Sequence, residues 1–335
     1  MRKLASIRTI SNIRPIDGAD MIEVATVDNW SVVVGKNDFK IGDNVIYFEI
    51  DSFLPIRPEF EFLRKSSYKK LADGSEGFRL KTIRLRCQIS QGLITPTSIL
   101  PNQNFQVGEE VTDILGVIKY EPPIPAELAG KVIGYFPSFI QKSDEERVQN
   151  LTDEYDEMRK YKYFASEKLD GTSSTFFINE NIFGVCSRNL QLEFNPDNTF
   201  CKIAIQNDIE NKLRSLQRNL AIQGEIIGEG IQGNKYKLIG QKLFVFNIFD
   251  IDKFEYLSKE EMVNMCNLFN LNTVPTIYSD FTLTETIEEL LEIANGQSQL
   301  NVNTKREGLV WVSIDSPKRI SFKTISNQFL LKYDE

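Results

Sequence analysis

Short strand-forming runs, each closed by a tight turn, crowd the first third of this chain and stop at a proline-rich break. MIEVATV, WSVVVG, NVIYFEI, FRLKTIRLR and GLITP follow one another between Asp-Gly, Gly-Lys-Asn-Asp and Gly-Asp turns. Brief runs rich in β-branched and aromatic residues predict a small β-barrel, here from residue 1 to about 116. From Gly116 the sequence turns to YEPPIPAELAGKVIGYFP, where Pro122, Pro123, Pro125 and Pro137 read as an extended linker. The expected division is a first domain at 1–118 and a second, linker included, at 119–335. An exposed helix is expected next in KSDEERVQNLTDEYDEMRKY, with Ser143 and Glu146 as its capping box. Beyond it, strands alternate with helical runs, which predicts an α+β domain built on antiparallel sheet. Its helices are expected within about 198–217, after Ser258 with Glu261, and after Thr282 with Glu285, the last stopping near Gly296.

Composition narrows the function. No apolar run approaches the roughly 20 residues that span a bilayer, and MRKLASIRTI lacks the apolar stretch of a signal peptide, so a cytoplasmic protein with no membrane partner is expected. Cys87, Cys186, Cys201 and Cys266 are widely spaced, which predicts reduced, buried thiols rather than disulfides or a zinc site. There is no histidine, which removes histidine triads, His-x-x-x-His zinc sites and histidine general bases. A net charge of -8 means that any nucleic-acid contact must come from a local patch. Arg79, Lys81, Arg84 and Arg86 form the dense basic cluster, but strand alternation puts the first pair on one face and the second on another.

The chemistry concentrates in EKLDGTSSTFF, Glu167 to Phe177. An amine attacks phosphorus only when neutral, so Lys168 reads as a nucleophile if it is partly desolvated and set beside positive charge, both of which lower its pKa. Asp170 could hold a hydrated Mg²⁺, the ion that screens phosphate charge during transfer, and Gly171 lets the backbone turn sharply. Downstream, in order, stand SRN (Ser187 to Asn189), QGEIIG (Gln223 to Gly228), FVFNIF (Phe244 to Phe249), REGLVWV (Arg306 to Val312) and SFKTIS (Ser321 to Ser326). One stretch, Gly228-Glu229-Gly230-Ile231-Gln232-Gly233-Asn234, almost spells a phosphate loop, but asparagine replaces the required lysine and no βαβ context surrounds it.

This ordered set resembles the nucleotidyltransferase motifs of covalent-lysine ligases and capping enzymes. Ala19 to Pro55 and Ile83 to Ile94 further resemble the N-terminal domain of the fifth family of ATP-dependent RNA ligases. That resemblance covers nearly the whole chain and implies two domains, an N-terminal OB-fold β-barrel followed by an α+β nucleotidyltransferase domain built on antiparallel sheets. It implies an enzyme that uses ATP and Mg²⁺, with Mn²⁺ as a substitute. Lys168 takes AMP from ATP, AMP moves to a 5′-phosphate end, and a 3′-hydroxyl then displaces it. The expected partner is RNA, or a nicked duplex with RNA at the 3′-hydroxyl side, and the expected state is a monomer.

Residue roles carry over with the motifs. Glu167 lines the adenine pocket, and Arg188 contacts the ribose or the end being joined. Glu225 and Glu307 hold the metal with Asp170, and Phe246 stacks on adenine, with Phe244 as the fallback. Lys323 binds the α-phosphate and helps depress the pKa of Lys168. Arg147, followed by Gln149-Asn150, resembles a further cofactor-binding motif. Many relatives carry a lysine two positions before Lys323; here that place is Ser321, leaving Lys318 or Arg319 to supply the charge. A DNA ligase or capping-type enzyme is disfavoured because about a dozen residues follow Lys323, too few for a C-terminal OB domain. A non-catalytic OB-fold nucleic-acid-binding protein is disfavoured because idle charges are costly to bury.

Overall fold

The β-rich runs of the first third pair as their alternation predicts. In a computed structural model, residues 3–71, 74–86, 88–101, 104–120 and 131–333 are described. The chain divides into two units, one of Met1–Ile124 with Gln149–Asp153 and Leu330–Glu335, the other of Pro125–Val148 with Glu154–Phe329. In the first, a five-stranded sheet runs Leu93–Pro96, Asn44–Phe48, Ala5–Pro15, Ile22–Val27, Trp30–Gly35. The long strand Ala5–Pro15 serves two neighbours, Asn44–Phe48 with its first half and Ile22–Val27 with its second, and its bulge between Ile10 and Asn12 bends the sheet between them. One buried cluster gathers Ile7, Ile46, Phe48, Leu54, Phe60 and Phe78, and another gathers Ile10, Val27, Trp30, Val32, Tyr47 and Ile94. Apolar residues of the one long strand, Ile7 and Ile10, thus enter two buried clusters.

FRLKTIRLR is not one strand. Glu76–Arg79 pairs with Ser52–Pro55, whereas Ile83–Leu85 forms a separate hairpin with Gln88–Ser90. The basic cluster accordingly scatters. Arg79 stacks over Tyr120 at 4.3 Å, Arg84 donates to the Leu331 carbonyl at 2.7 Å, and Arg86 donates to the Gly18 carbonyl at 3.3 Å.

Two sheets build the second unit. The larger, of eight strands, places Thr172–Asn179 between Ile182–Ser187 and Leu220–Gly228, with Gln241–Asp250 beyond. The smaller runs Glu146–Arg147, Ser321–Ile325, Gly308–Ser313, Lys162–Lys168, Thr276–Thr282. Lys162–Lys168 thus ends in one sheet and, after three intervening residues, Thr172 begins a strand of the other. Helices cover the larger sheet, burying Cys201, Ile203, Leu213, Met262 and Cys266 against Phe176, Val185 and Ile222.

Helix boundaries depart from the sequence reading in three places. The 198–217 stretch is two helices, Thr199–Gln206 and Ile209–Ser215, separated by Asp208 in the left-handed region. The Ser258–Glu261 capping box is present as expected, but the helix expected after Thr282 is capped by Thr286 with Glu289, because Thr282 is still the last residue of a strand; a further helix, Asn327–Tyr333, follows. Ser143 caps no helix. Glu146 and Arg147 pair in parallel with Phe322 and Lys323 instead, and this tertiary pairing overrides the local capping signal. Cys186, Cys201 and Cys266 are buried free thiols; Cys87, Pro122, Pro123 and Pro125 lie outside the described residues. Among the described residues no helix is long and apolar enough to cross a membrane.

The smaller sheet is locked by Trp311, which is fully buried, stacks between Tyr278 and Phe322 with interplanar angles of 11° and 14°, and donates its Nε1–H to Thr324 Oγ1 at 2.9 Å. Trp311→Ala should lower stability by about 3–5 kcal/mol, read as a shift of the urea midpoint of the second unit at unchanged slope.

Candidate active site

Antiparallel register fixes the centre of the site. Lys168 opposes Gly308 and Glu167 opposes Leu309, so Glu307 stands beside the last residue of the lysine strand. Gly308 must be glycine, since a Cβ there would strike the Thr324 carbonyl. The chain then crosses to the larger sheet, where Thr172 opposes Ile226 and Ser173 opposes Glu225. Gly171 permits this crossing by closeness rather than by a left-handed turn. A Cβ would overlap the Ile226 carbonyl, and its φ lies outside the positive region that favours glycine.

The sheets frame a cavity of about 960 Å³ whose lining includes Glu167, Lys168, Asp170, Arg188, Glu225, Phe246, Glu307 and Lys323. Arg147 is not among its lining residues, although it lies across the parallel ladder from Lys323 and its charge acts on that lysine. Phe246, not Phe244, reaches the cavity. The ladder skips from Gln223–Asn247 to Gly224–Val245, so Phe246 sits at a bulge and is turned out of strict alternation, while Phe244 stays in the packed core.

Lys168 Nζ donates to Glu307 Oε1 at 2.5 Å. Burial pulls its pKa down, yet Glu307, Glu225 and Asp170 together hold it above the ordinary lysine range. The expectation that Lys323 keeps this amine low is therefore not met, because the carboxylates outweigh the like charge. The depression falls on Lys323 instead, which burial first, then Lys168, Arg147 and Arg188, pull down to about 7. Glu225 is its counterpart, pushed up to about 8 chiefly by burial. Glu167 is buried, its Oε2 accepts the Gln299 N–H at 2.8 Å, and burial raises its pKa. Arg188 reaches Asp144 at 2.8 Å near solvent.

Asp170, Glu225 and Glu307 do not form a ready-made cage: among the described residues no three His, Cys, Asp or Glu side chains converge for a metal. Two of the three carboxylates hold ammonium groups instead, Glu307 that of Lys168 and Asp170 that of Lys235. The donor set nonetheless fits Mg²⁺ or Mn²⁺. It is all oxygen, its three members line one cavity, and burial raises the pKa of the Glu225 carboxyl, which a cation would relieve.

Sequence reasoning left Arg319 as one of two alternatives and missed Lys259, Lys235 and Tyr236. Arg319 lines the cavity, stacks on Tyr256 at 4.4 Å and donates to Asn247 Oδ1 at 3.3 Å, whereas Lys318 is absent from the lining. Lys259 also lines it, sits 4.4 Å over Phe164 and is pulled down to about 8 by burial. Lys235 and Tyr236 follow directly on the near-miss phosphate loop, and the Asp170 N–H donates to Tyr236 Oη at 2.7 Å. These residues belong to no motif, and their positions follow only from the fold.

An anion favours the protonated form of Lys323. Sulfate keeps its charge between pH 6 and 8, so its affinity should rise about tenfold as pH falls across that interval through the lysine's depressed pKa. Calorimetry checks this, and Lys323→Arg should flatten the dependence.

Comparison with known proteins agrees with this layout. A family model described as an OB-fold domain matches residues 4–97, and one described as RNA ligase matches residues 161–333. Three solved structures of Naegleria gruberi RNA ligase are similar across the whole chain. An Asp-to-Ala mutant without ligand shares 44% identity at a TM-score of 0.86, covering 99% of this chain and 98% of that one. A Glu-to-Ala mutant with ATP and Mn shares 44% at 0.86, covering 100% of both. A Lys-to-Met mutant with AMP and Mn shares 44% at 0.86, covering 99% of both. No curated protein matches.

Proposed function

This chain belongs to the RNA ligase family, and we propose that it seals 3′-hydroxyl/5′-phosphate breaks with ATP, acting on nicks in duplexes with RNA at the 3′-hydroxyl side. The observation that carries the reading is a division of charge within one cavity. Carboxylates surround the Lys168 amine, while the amine of Lys323 and the guanidinium groups of Arg188 and Arg319 line the same space. Carboxylates suit a metal and cations suit phosphate, and nucleotidyl transfer needs both.

In the first step the neutral Lys168 amine attacks the α-phosphorus of ATP. A nitrogen–phosphorus bond forms, the α–β oxygen–phosphorus bond breaks, and pyrophosphate leaves. The ion pair with Glu307 keeps that amine protonated in the ligand-free chain, so attack requires the surrounding carboxylates to lose their hold on the proton. A divalent cation on Asp170, Glu225 and Glu307 would supply that neutralisation. Lys323 holds phosphate oxygens with a charge that burial leaves otherwise undersatisfied. Phe246 offers its ring to adenine from the bulge, and Glu167 frames the base from the strand that ends in Lys168. Lys168 then gives AMP to the 5′-phosphate end, breaking the nitrogen–phosphorus bond, and the 3′-hydroxyl displaces AMP. We assign the barrel (1–118) to nucleic-acid contact and 119–335 to transfer in a monomeric enzyme.

The third step needs the carboxylates but no covalent lysine bond. Lys168→Ala should fail with ATP and a 5′-phosphate nick yet seal a pre-adenylylated one. Glu225→Ala and Glu307→Ala should each lower single-turnover rates by about two orders of magnitude, with Glu307→Ala impaired on both substrates. Gel assays with matched RNA-ended and DNA-ended nicks read these outcomes. Equal sealing of both 3′ ends would return DNA ligation to contention, and a folded Lys168→Ala that cannot seal the adenylylated nick would give the lysine a further role.

A further inference from the structure

The segment Gly228–Gly240 fails as a phosphate loop, but it is built to grip the turn that carries Asp170. Its two ends are joined, Glu229 N–H to the Gly240 carbonyl at 3.0 Å. Gln232, Asn234 and Lys237 all adopt left-handed backbone, a costly run for non-glycine residues that persists only where contacts enforce it. Asn234, the residue that spoils the phosphate-loop pattern, staples the loop by exchanging two hydrogen bonds with Leu238, at 2.9 and 3.0 Å. The staple presents Lys235 and Tyr236 to Asp170. The Lys235 ammonium binds Asp170 Oδ2 with both side chains largely buried, 13% and 9% exposed. The buried Tyr236 hydroxyl accepts the Asp170 N–H at 2.7 Å, so one loop fixes both the carboxylate and the backbone of the same residue. Lys235 is itself held, its ammonium 5.3 Å over the Phe329 ring and its carbonyl accepting from Thr304 Oγ1 at 2.7 Å.

We propose that Lys235 and Tyr236 are positioning residues that clamp Asp170 in the geometry the reaction uses, Lys235 through the carboxylate and Tyr236 through the peptide N–H. This rests on the reading of Asp170 as part of the metal shell. The clamp acts on orientation rather than on attraction. Removing the Lys235 charge leaves the other carboxylates in place and takes away a positive charge that opposes any cation. The clamp therefore sets the rate at saturating metal and not the affinity for metal, a split that general loss of structure would not produce. Tyr236 also packs with Leu169 in the cluster against which Phe246 rests.

The test uses the full chain, ATP and Mn²⁺. At saturating Mn²⁺, Lys235→Met should lower the single-turnover rate of adenylylation about tenfold or more, and Lys235→Arg should recover most of the loss. Mn²⁺ binding, read by electron paramagnetic resonance without ATP, should be as tight as in the wild type or tighter. In an Asp170→Asn background, Lys235→Met should add less than about twofold, since the two residues act as one unit. Tyr236→Phe should accelerate amide exchange of the peptide carrying Asp170 and leave exchange in the barrel unchanged. The proposal is overturned by a Lys235→Met rate within twofold of wild type, by weakened Mn²⁺ binding, by additive effects with Asp170→Asn, or by unchanged exchange in Tyr236→Phe. A wild-type chain that forms no AMP adduct would instead contradict the ligase reading, and the Mn²⁺ and exchange measurements would then decide the clamp by themselves.

Discussion

The ion pair between Lys168 and Glu307 sets the terms for the rest of the second unit. Burying a lone ammonium costs several kcal/mol, so the chain must deliver a carboxylate to the end of the lysine strand. It does so by antiparallel register, with Glu307 placed one residue before the partner of Lys168. That register demands a flat, close ladder, met by glycine at 308 and by the aromatic stack around Trp311. The path away from Lys168 is equally constrained, because only glycine at 171 lets the chain pass the Ile226 carbonyl and enter the larger sheet beside Glu225. Two sheets, three carboxylates and one amine are therefore parts of one geometric solution.

That solution leaves the cavity unbalanced in a useful way. Glu225 is half-buried without enough positive charge and Lys323 without enough negative charge, and loss of water moves their pKa values toward neutrality from opposite sides. A cation and an anion together would relieve both, and a metal–nucleotide complex carries the two charges in one ligand. The Lys168–Glu307 pair has the reverse property. It pairs both charges and favours the protonated amine.

Much of this was legible in the sequence where chemistry depends on residue type within a strand. Lys168, Asp170, Glu225, Glu307 and Lys323 were picked out by the order and wording of their motifs, and the structure brings all five to one cavity. The small barrel was legible in its short β-rich runs. Features set by long-range pairing were not. Arg147 was expected on a helix and stands on a two-residue strand, because its partner lies about 175 residues later and local capping signals cannot report such a contact. The aim of Phe246 depends on a bulge, and the roles of Lys235 and Tyr236 depend on a stapled loop of left-handed residues. The pKa of Lys168 was misjudged because it turns on a sum of distances to three carboxylates, which strand order alone does not give.

The central claim is that Lys168 carries AMP. Intact-mass analysis of the chain after incubation with ATP and Mn²⁺, followed by peptide mapping, tests it most directly. The account predicts the mass of one AMP on the peptide containing Lys168, in an acid-labile nitrogen–phosphorus linkage. No adduct, an adduct on another residue, or labelling from GTP or NAD⁺ in place of ATP would contradict it.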